Sequence, residues 1–407
     1  MKKKYVFLAV TLGNMGGIQM FISNKVAFLE KNGWEVYVFY SNHNGEILID
    51  NLKKYKDNYC PVLSQNIAGI NKSIIESSIS QISDGVGLAD RIIVETLLVP
   101  MTYWGELLAK KMKGQHIVDF LEEEFKNPTK RQASFYEFKL KRWECLNASD
   151  TALRKWFGDK YKEEYREYQN EMVPICSNVI GDSSTIVESF PKVDFNILCV
   201  GRLRKPYILP MFNEVSKFIK VHTEKTFNII IVGGSPDGSV ESKINELLRP
   251  FPNINVYQLG YLYPIPANLI DIADVGISSS NSVFTTAERG IPTISVDGAD
   301  FDAIGVYGHT TTNTLFRTTE PKIKISILLD DILIKNKYPR KSIEFNSNNV
   351  YEALKPQIDF LSRSTDDGVY YDISKTYSCL DVLIAKLKRI WIYLLRVKNE
   401  YDRKKIH

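Results

Sequence analysis

Cations placed directly behind a glycine-ended strand are suited to gripping phosphate, and Gly201-Arg-Leu-Arg-Lys205 offers that combination. Arginine meets an anion with paired hydrogen bonds and lysine with a point charge, so Arg202 and Lys205 are candidate partners of a diphosphate. A solvated basic loop is the bland alternative. The apolar run Phe195-Asn-Ile-Leu-Cys-Val-Gly in front of the cations reads as a buried strand and favours the first reading. Gly233 ends a similar run, Phe227-Asn-Ile-Ile-Ile-Val-Gly, and lets a ligand approach bare backbone. From Gly276 to Pro292 a third run follows a strand with hydroxyls and amides. There Ser282, Thr285 and Thr286 are placed to hydrogen-bond a ribose or phosphate at a helix start, and Gly290 with Pro292 closes that helix.

At the other end of the chain, Gly13-Asn-Met-Gly-Gly-Ile-Gln ends the first apolar run. Gly16, Gly17 and Gln19 there either bring backbone amides to a sugar or phosphate, or only make a tight strand-to-helix turn. The order of the glycines does not match the Gly-x-Gly-x-x-Gly fingerprint of dinucleotide sites. Asp300-Phe-Asp302 is formally an Asp-x-Asp, a pattern that holds a divalent metal on a nucleotide diphosphate in some enzymes. Such a triplet is common by chance. A metal-independent site without a cofactor is expected instead, with Arg202, Lys205 and helix amides facing the diphosphate.

The elements that position these residues alternate along the chain. Tyr5-Val-Phe-Leu-Ala-Val-Thr reads as a strand, Ile18 to Asn32 as a helix stopped by Gly33, and Trp34-Glu-Val-Tyr-Val-Phe-Tyr as the next strand. Arg91-Ile-Ile-Val-Glu and His116-Ile-Val-Asp-Phe continue the pattern, with Tyr103 to Met112 helical between them. A second set begins at Phe195 and runs through Phe227, Ile254 and Val275, with helices at Met211 to Thr223, Val240 to Leu248 and Pro266 to Ala273. The reading is therefore α/β: two tandem Rossmann-like domains facing a cleft, 1–185 and 190–365, followed by a helical extension, 366–407. At 407 residues, two domains are the first expectation.

Composition narrows the function classes. The 52 basic residues are nearly matched by 48 acidic ones, a net charge of +4, which argues against a nucleic-acid partner. Cys60, Cys145, Cys176, Cys199 and Cys379 are scattered without a Cys-x-x-Cys pair, so neither a disulfide framework nor a zinc site is indicated, and a reducing, cytoplasmic setting fits. The start, Met1-Lys-Lys-Lys followed by an apolar run, lacks a small-x-small cleavage site and reads as a buried strand rather than a signal peptide. No stretch approaches the length of a membrane-spanning helix.

The order Gly-Arg, Val-Gly-Gly, Gln-Leu-Gly-Tyr, Ile-Ala-Asp-Val-Gly-Ile-Ser-Ser-Ser and Glu-Arg-Gly-Ile-Pro-Thr-Ile-Ser resembles the donor half of GT-B glycosyltransferases. Gly16-Gly17-Ile-Gln is similar to their acceptor-side glycine loop, especially in the family-four-like members of bacterial surface polysaccharide synthesis. The resemblance implies transfer of a sugar from a UDP- or GDP-sugar to a glycan or lipid-linked acceptor, with the acceptor on the first domain and the donor on the second. Retention of anomeric configuration is implied by the resemblance alone. It also implies a catalytic or sugar-contacting group after the strand at His116, where Asp119 and Glu122 stand. Either carboxylate takes an acceptor proton there, or it belongs to a solvated acidic helix start.

One departure from that family matters. Its members commonly carry two glutamates eight positions apart, and the corresponding places here hold Ile277 and Thr285. Glu288 lies one helical turn beyond Thr285 and either substitutes or sits on the surface. The loss leaves two rivals open: a catalytically inactive sugar-nucleotide or glycan-binding scaffold, and a sugar-nucleotide epimerase on the same fold. Near the end, residues 380–398 read as an amphipathic helix with Lys386, Lys388, Arg389, Arg396 and Lys398 against Leu, Ile, Trp391 and Tyr393. Peripheral contact with the inner face of a membrane and docking back onto the first domain are both consistent with it.

Overall fold

Two lysines followed by the unbroken apolar run Tyr5-Val-Phe-Leu-Ala form the first strand, β1 (Lys3–Ala9), and a run of that kind is buried on both faces. The computed structural model describes residues 1–97, 99–120, 127–170, 178–235, 237–341, 350–361 and 367–387. Glu122, and the part of the C-terminal helix expected beyond residue 387, lie outside the described residues. The chain divides into two units, one of Met1–Asn14, Ile22–Val173 and Tyr351–His407, the other of Met15–Phe21 and Pro174–Val350.

In the first unit β1 pairs in parallel with β2 (Trp34–Tyr40) on one side and β3 (Arg91–Thr96) on the other. Beyond β3 lie β4 (Gln115–Asp119) and β5 (Cys145–Leu146), giving the order β2-β1-β3-β4-β5. The edge strand β2 alternates buried Trp34, Val36, Val38 and Tyr40 with more exposed residues, as a strand covered on one face does. Helix α1 (Gly17–Lys31) crosses from β1 to β2 and stops at Gly33, whose φ of 77° only glycine adopts freely. The short α2 (Asp50–Lys53) and the longer α3 (Lys72–Val86) and α4 (Val99–Met112) follow. Helix α5 (Lys130–Lys141) opens on a Thr129–Gln132 capping box and α6 (Asp150–Phe157) on a Ser149 cap, so much of the charged stretch after β4 is helical.

The second unit opens with β6 (Ile180–Gly181), which pairs only with the equally short β10 (Ile265–Pro266). Its main sheet holds β7 (Phe195–Val200), β8 (Phe227–Val232), β9 (Ile254–Gln258), β11 (Val275–Ser278), β12 (Thr293–Val296) and β13 (Ala303–Val306). Their order is β13-β12-β11-β7-β8-β9, parallel except for β13. Helices α7 (Ile208–Val221), α8 (Ser239–Leu248), α9 (Ala267–Asp271) and α10 (Ser282–Ala287) are its connections. The chain enters at β7, moves outward to β9 and returns to the other flank of β7 at β11. This is the strand order of a dinucleotide-type sheet, and its ligand crevice opens at the carboxyl ends of β7 and β11. Phe212, Val215, Ile229, Ile231, Ile277 and Ile294 form the core on one face of that sheet.

The last part of the chain belongs to the first unit. Arg142 pairs with Asp367 (2.7 Å), Tyr370 Oη donates to the Gly114 carbonyl (2.9 Å), and the Tyr371 amide donates to Glu106 (2.6 Å). The described helical residues 379–387 lie over Gly69, where an added Cβ would come within 2.9 Å of the Ala385 side chain. Leu380, Leu383, Ile384 and Leu387 of the same stretch stay exposed. Among the described residues no helix is long and apolar enough to cross a membrane.

Candidate functional site

The crevice predicted by the strand order of the second unit is occupied by a cavity of about 160 Å³. Gly201, Arg202 and Lys205 reach it from the end of β7, Gly233 from β8, Tyr261 and Leu262 from the loop after β9, and Ser279 to Ser282 from the end of β11. Gly16 and Gly17, at the start of α1 and within the same unit, complete the wall with Asn178. Among the described residues, two cations and no carboxylate line this space. Such a lining selects for an anion.

Arg202 is the side chain least at ease there. Burial, with the neighbouring Arg204 next in weight, pushes its guanidinium below the usual arginine range. Among the described residues no carboxylate acts on it to compensate. A Cβ added to Gly16 would sit 3.2 Å from an Arg202 terminal nitrogen, so the bare backbone of Gly16 leaves the guanidinium its room. A desolvated cation without a counter-charge is costly, and a bound anion removes that cost.

Backbone conformation is unusual around the same point. Gly233 has φ 140°, and Ser280 is a non-glycine residue at φ 58°, held by a bond from its amide to the Thr314 carbonyl. A left-handed serine beside a cavity is strain of the kind found at ligand sites. Ser279, 5% exposed, has a hydroxyl with no hydrogen-bond partner among the described residues. Its Oγ is a ready donor to a ligand oxygen.

The predicted donor residues separate into three groups. Gly201, Arg202, Lys205, Gly233 and Ser282 line the cavity together with Gly16 and Gly17. Thr285 stands one layer back, accepting a hydrogen bond from Asn178 Nδ2 (2.8 Å), and Asn178 itself lines the space. Thr286 points away: it is fully buried and bonds Thr293 Oγ1 (2.7 Å) beneath the sheet. Gln19 is nearly buried on the first turns of α1, with its Oε1 beside Gly16. Glu288 caps α10 and lies beside Tyr307, whose phenol is pushed up by burial and then by that carboxylate; it is not part of the cavity lining. Asp300 and Asp302 are both paired with cations, Asp300 with Arg317 (2.8 Å) and Lys322 (3.2 Å), Asp302 with Lys324 (2.7 Å), so the Asp-x-Asp triplet ties a loop together.

Tyr207, Tyr261, Leu262 and Asn178 were not singled out from the sequence. Tyr261 carried a signal, since it closes the Gln-Leu-Gly-Tyr run, and its hydroxyl donates to the Gly234 carbonyl (2.7 Å). Asn178 carried none.

Asp119, in the first unit, ends β4 and is completely buried. Its Oδ1 accepts from Asn147 Nδ2 (2.6 Å), while Oδ2 has no partner among the described residues. Nearby Glu95 accepts from the Tyr5 hydroxyl and from Lys25 Nζ (2.6 Å), and its Oε1 is likewise unpartnered. Burial first and Glu95 second raise Asp119 to about 7. A second buried network joins His116 Nδ1 (2.8 Å) and Lys139 (2.9 Å) to Glu106, and Lys139 also to Glu144 (2.5 Å). His116 is 1% exposed, and burial, then Lys139, lower it to about 4.

No family model matches the chain, and no curated protein matches it. Solved structures do share its fold. The glycosyltransferase from Rickettsia africae ESF-5 aligns over 89% of this chain and 98% of that one, with a TM-score of 0.58 and 16% identity. Anabaena Alr3699/HepE in complex with UDP aligns over 89% and 100%, with a TM-score of 0.56 and 12% identity. The UDP-GlcNAc 2-epimerase from Neisseria meningitidis bound to UDP-GlcNAc gives a TM-score of 0.49 over 89% and 100%, at 14% identity. The first two likenesses establish the fold class as α/β of the GT-B kind, in agreement with the alternation read from the sequence.

Proposed function

We propose that this chain is a glycosyltransferase that moves a sugar from a UDP- or GDP-sugar to a glycan or lipid-linked acceptor in surface polysaccharide synthesis, and that the second unit holds the donor. The observation that carries the reading is Arg202, a partly desolvated cation with no carboxylate partner among the described residues, at the switch point of a Rossmann-ordered sheet. Arg202 and Lys205 face the diphosphate, and Ser279 donates its free hydroxyl to a phosphate oxygen. As the bond to the anomeric carbon breaks, charge accumulates on the leaving diphosphate, and fixed cations and donors in a dry site stabilise that charge most strongly. In this reading no metal is needed. Asn178, held from behind by its bond to Thr285, presents its side-chain amide to the ribose, where the resemblance leads one to expect a carboxylate.

UDP is the first ligand to test, since the Anabaena neighbour was solved with it. Titration calorimetry with UDP should give a defined Kd that the double charge reversal R202E/K205E abolishes in a protein that still melts cooperatively. Unchanged affinity in the folded double variant contradicts the reading. Release of nucleotide from a donor panel, followed by product mass in the presence of a chelator, then separates transfer from epimerisation. A non-catalytic sugar-nucleotide-binding scaffold is the second reading, favoured by the lack of a carboxylate among the described lining residues; it predicts UDP binding with no turnover.

A further inference from the structure

At the carboxyl edge of the first unit's sheet two aromatic rings lie tilted against each other in the open. His43, three residues beyond the end of β2, lies 3.9 Å from the Tyr59 ring, centroid to centroid, at an interplanar angle of 37°. Both residues are exposed, Tyr59 to 40%. Aromatic rings normally deliver their large apolar area to a core or an interface, so a contacting pair left in water marks a surface that receives something.

The pair is rigidly mounted. Tyr40, 1% exposed, ends β2 and packs against both rings, 5.4 Å from His43 and 5.6 Å from Tyr59. Its hydroxyl donates to the Lys56 carbonyl (2.7 Å). Tyr59 is bridged in parallel to Tyr40, with backbone bonds from the Tyr40 amide to the Asn58 carbonyl (3.2 Å) and from the Cys60 amide to the Tyr40 carbonyl (2.7 Å). The loop after His43 is pinned by the bond from the Asn14 amide to the Glu46 carbonyl (2.8 Å), and Gly45, at φ 83°, packs against the Asn14 side chain. Such a surface is organised before any ligand arrives, which lowers the ordering cost of binding.

We propose that the His43–Tyr59 pair is a saccharide platform, on which a pyranose ring of the acceptor glycan stacks. Calling the bound sugar an acceptor rests on the transferase reading; the binding itself does not. A pyranose ring offers one face of C–H groups, which an aromatic face covers well, and a rim of hydroxyls. Asn42 and Asn44, both exposed on either side of His43, each carry an amide that donates and accepts, as hydroxyl recognition requires. Charge along residues 46–57, between the two rings in sequence, is mixed, with Glu46, Asp50 and Asp57 against Lys53, Lys54 and Lys56, which disfavours the phosphates of a nucleic-acid strand and suits a neutral ligand.

The test uses the full chain and its five histidines, whose ring signals are few enough to assign by substitution in a carbon-edited NMR spectrum. Maltotriose, cellotriose and chitotriose are the probes, with UMP as the nucleobase control. The His43 signals should move with at least one trisaccharide, and Tyr59→Ala should raise the corresponding Kd by about fivefold or more. Asn44→Ala, which disturbs no ring contact, should weaken binding as well while the melting temperature stays at the wild-type value. The platform is wrong if no trisaccharide moves the His43 signals, or if UMP alone does. UDP binding in the same samples keeps the two readings apart. UDP bound with His43 silent removes the platform only, whereas a trisaccharide shift without UDP binding removes the donor assignment only.

Discussion

A Cβ placed on Gly233 would run into the carbonyl oxygen of Gly201, so the ends of β7 and β8 approach as closely as two backbones can. Gly233 also has φ 140°, a conformation open to glycine and strained for other residues. The approach brings both backbones to the wall of the Arg202 cavity. Gly233→Ala should therefore push Gly201 and Arg202 out of place, costing about 1–3 kcal/mol of stability and at least tenfold in UDP affinity. Calorimetric titration and a urea melt check both quantities; wild-type affinity in the variant would show that the close approach does not shape the site.

Removing Arg202 should separate stability from binding. Its guanidinium is partly desolvated with no carboxylate to balance it among the described residues, so Arg202→Met relieves a cost in the free protein and should leave the melting temperature equal or higher. On the proposed donor role the same change deletes charge-assisted hydrogen bonds to the diphosphate, worth about 1.5–3 kcal/mol, so UDP affinity should fall by roughly 10- to 150-fold. A destabilised variant with unchanged affinity reverses both expectations.

Phosphate-type sites are legible because their parts are local: an apolar strand, a glycine at its end, a cation behind it. Gly201, Arg202, Lys205 and Gly233 were readable for that reason, and the cavity gathers them. Asn178 was not, because its bond to Thr285 spans 107 positions and nothing near it in the sequence marks it. Thr286 looked equivalent to Ser282, yet α10 is only six residues long and turns the threonine inward onto Thr293. The alternation of strands and helices gave the fold class, while the buried charges of the first unit announced themselves as a glutamate closing the apolar run Arg91-Ile-Ile-Val-Glu and an aspartate within His116-Ile-Val-Asp-Phe. Their partners, Lys25, Tyr5 and Asn147, come from three other elements and meet only through the sheet order.

Glu106 should be among the most sensitive positions of the first unit. It receives His116 and Lys139 on one oxygen and the Tyr371 amide on the other, and it is 1% exposed. Burial works against its charge, but Lys139 and His116 outweigh burial and hold it at about 2. A depressed carboxylate contributes stability that is present above its unfolded pKa and lost as pH falls through the folded one. Glu106→Ala strands the buried Lys139 with Glu144 alone and should cost about 3–5 kcal/mol at pH 7. Urea unfolding of the full chain measures it, and a loss below about 1 kcal/mol would mean that the network relaxes freely.

Asp119 carries the opposite sign. Burial and the Glu95 carboxylate raise it to about 7, well above an unfolded aspartate. Below the ordinary aspartate range, near pH 4, folded and unfolded chains both hold this proton and folding is unaffected. As pH rises from there to about 7 only the folded chain retains it, so stability falls by up to roughly 1.4 kcal/mol per pH unit and levels off above. Asp119→Asn keeps an oxygen for Asn147 Nδ2 and cannot ionise. The variant should match the wild type near pH 5 more closely than at pH 8, where it should be the more stable of the two. Urea midpoints at the two pH values measure this directly, and parallel pH profiles for both proteins would mean that Asp119 titrates as an ordinary surface carboxylate does.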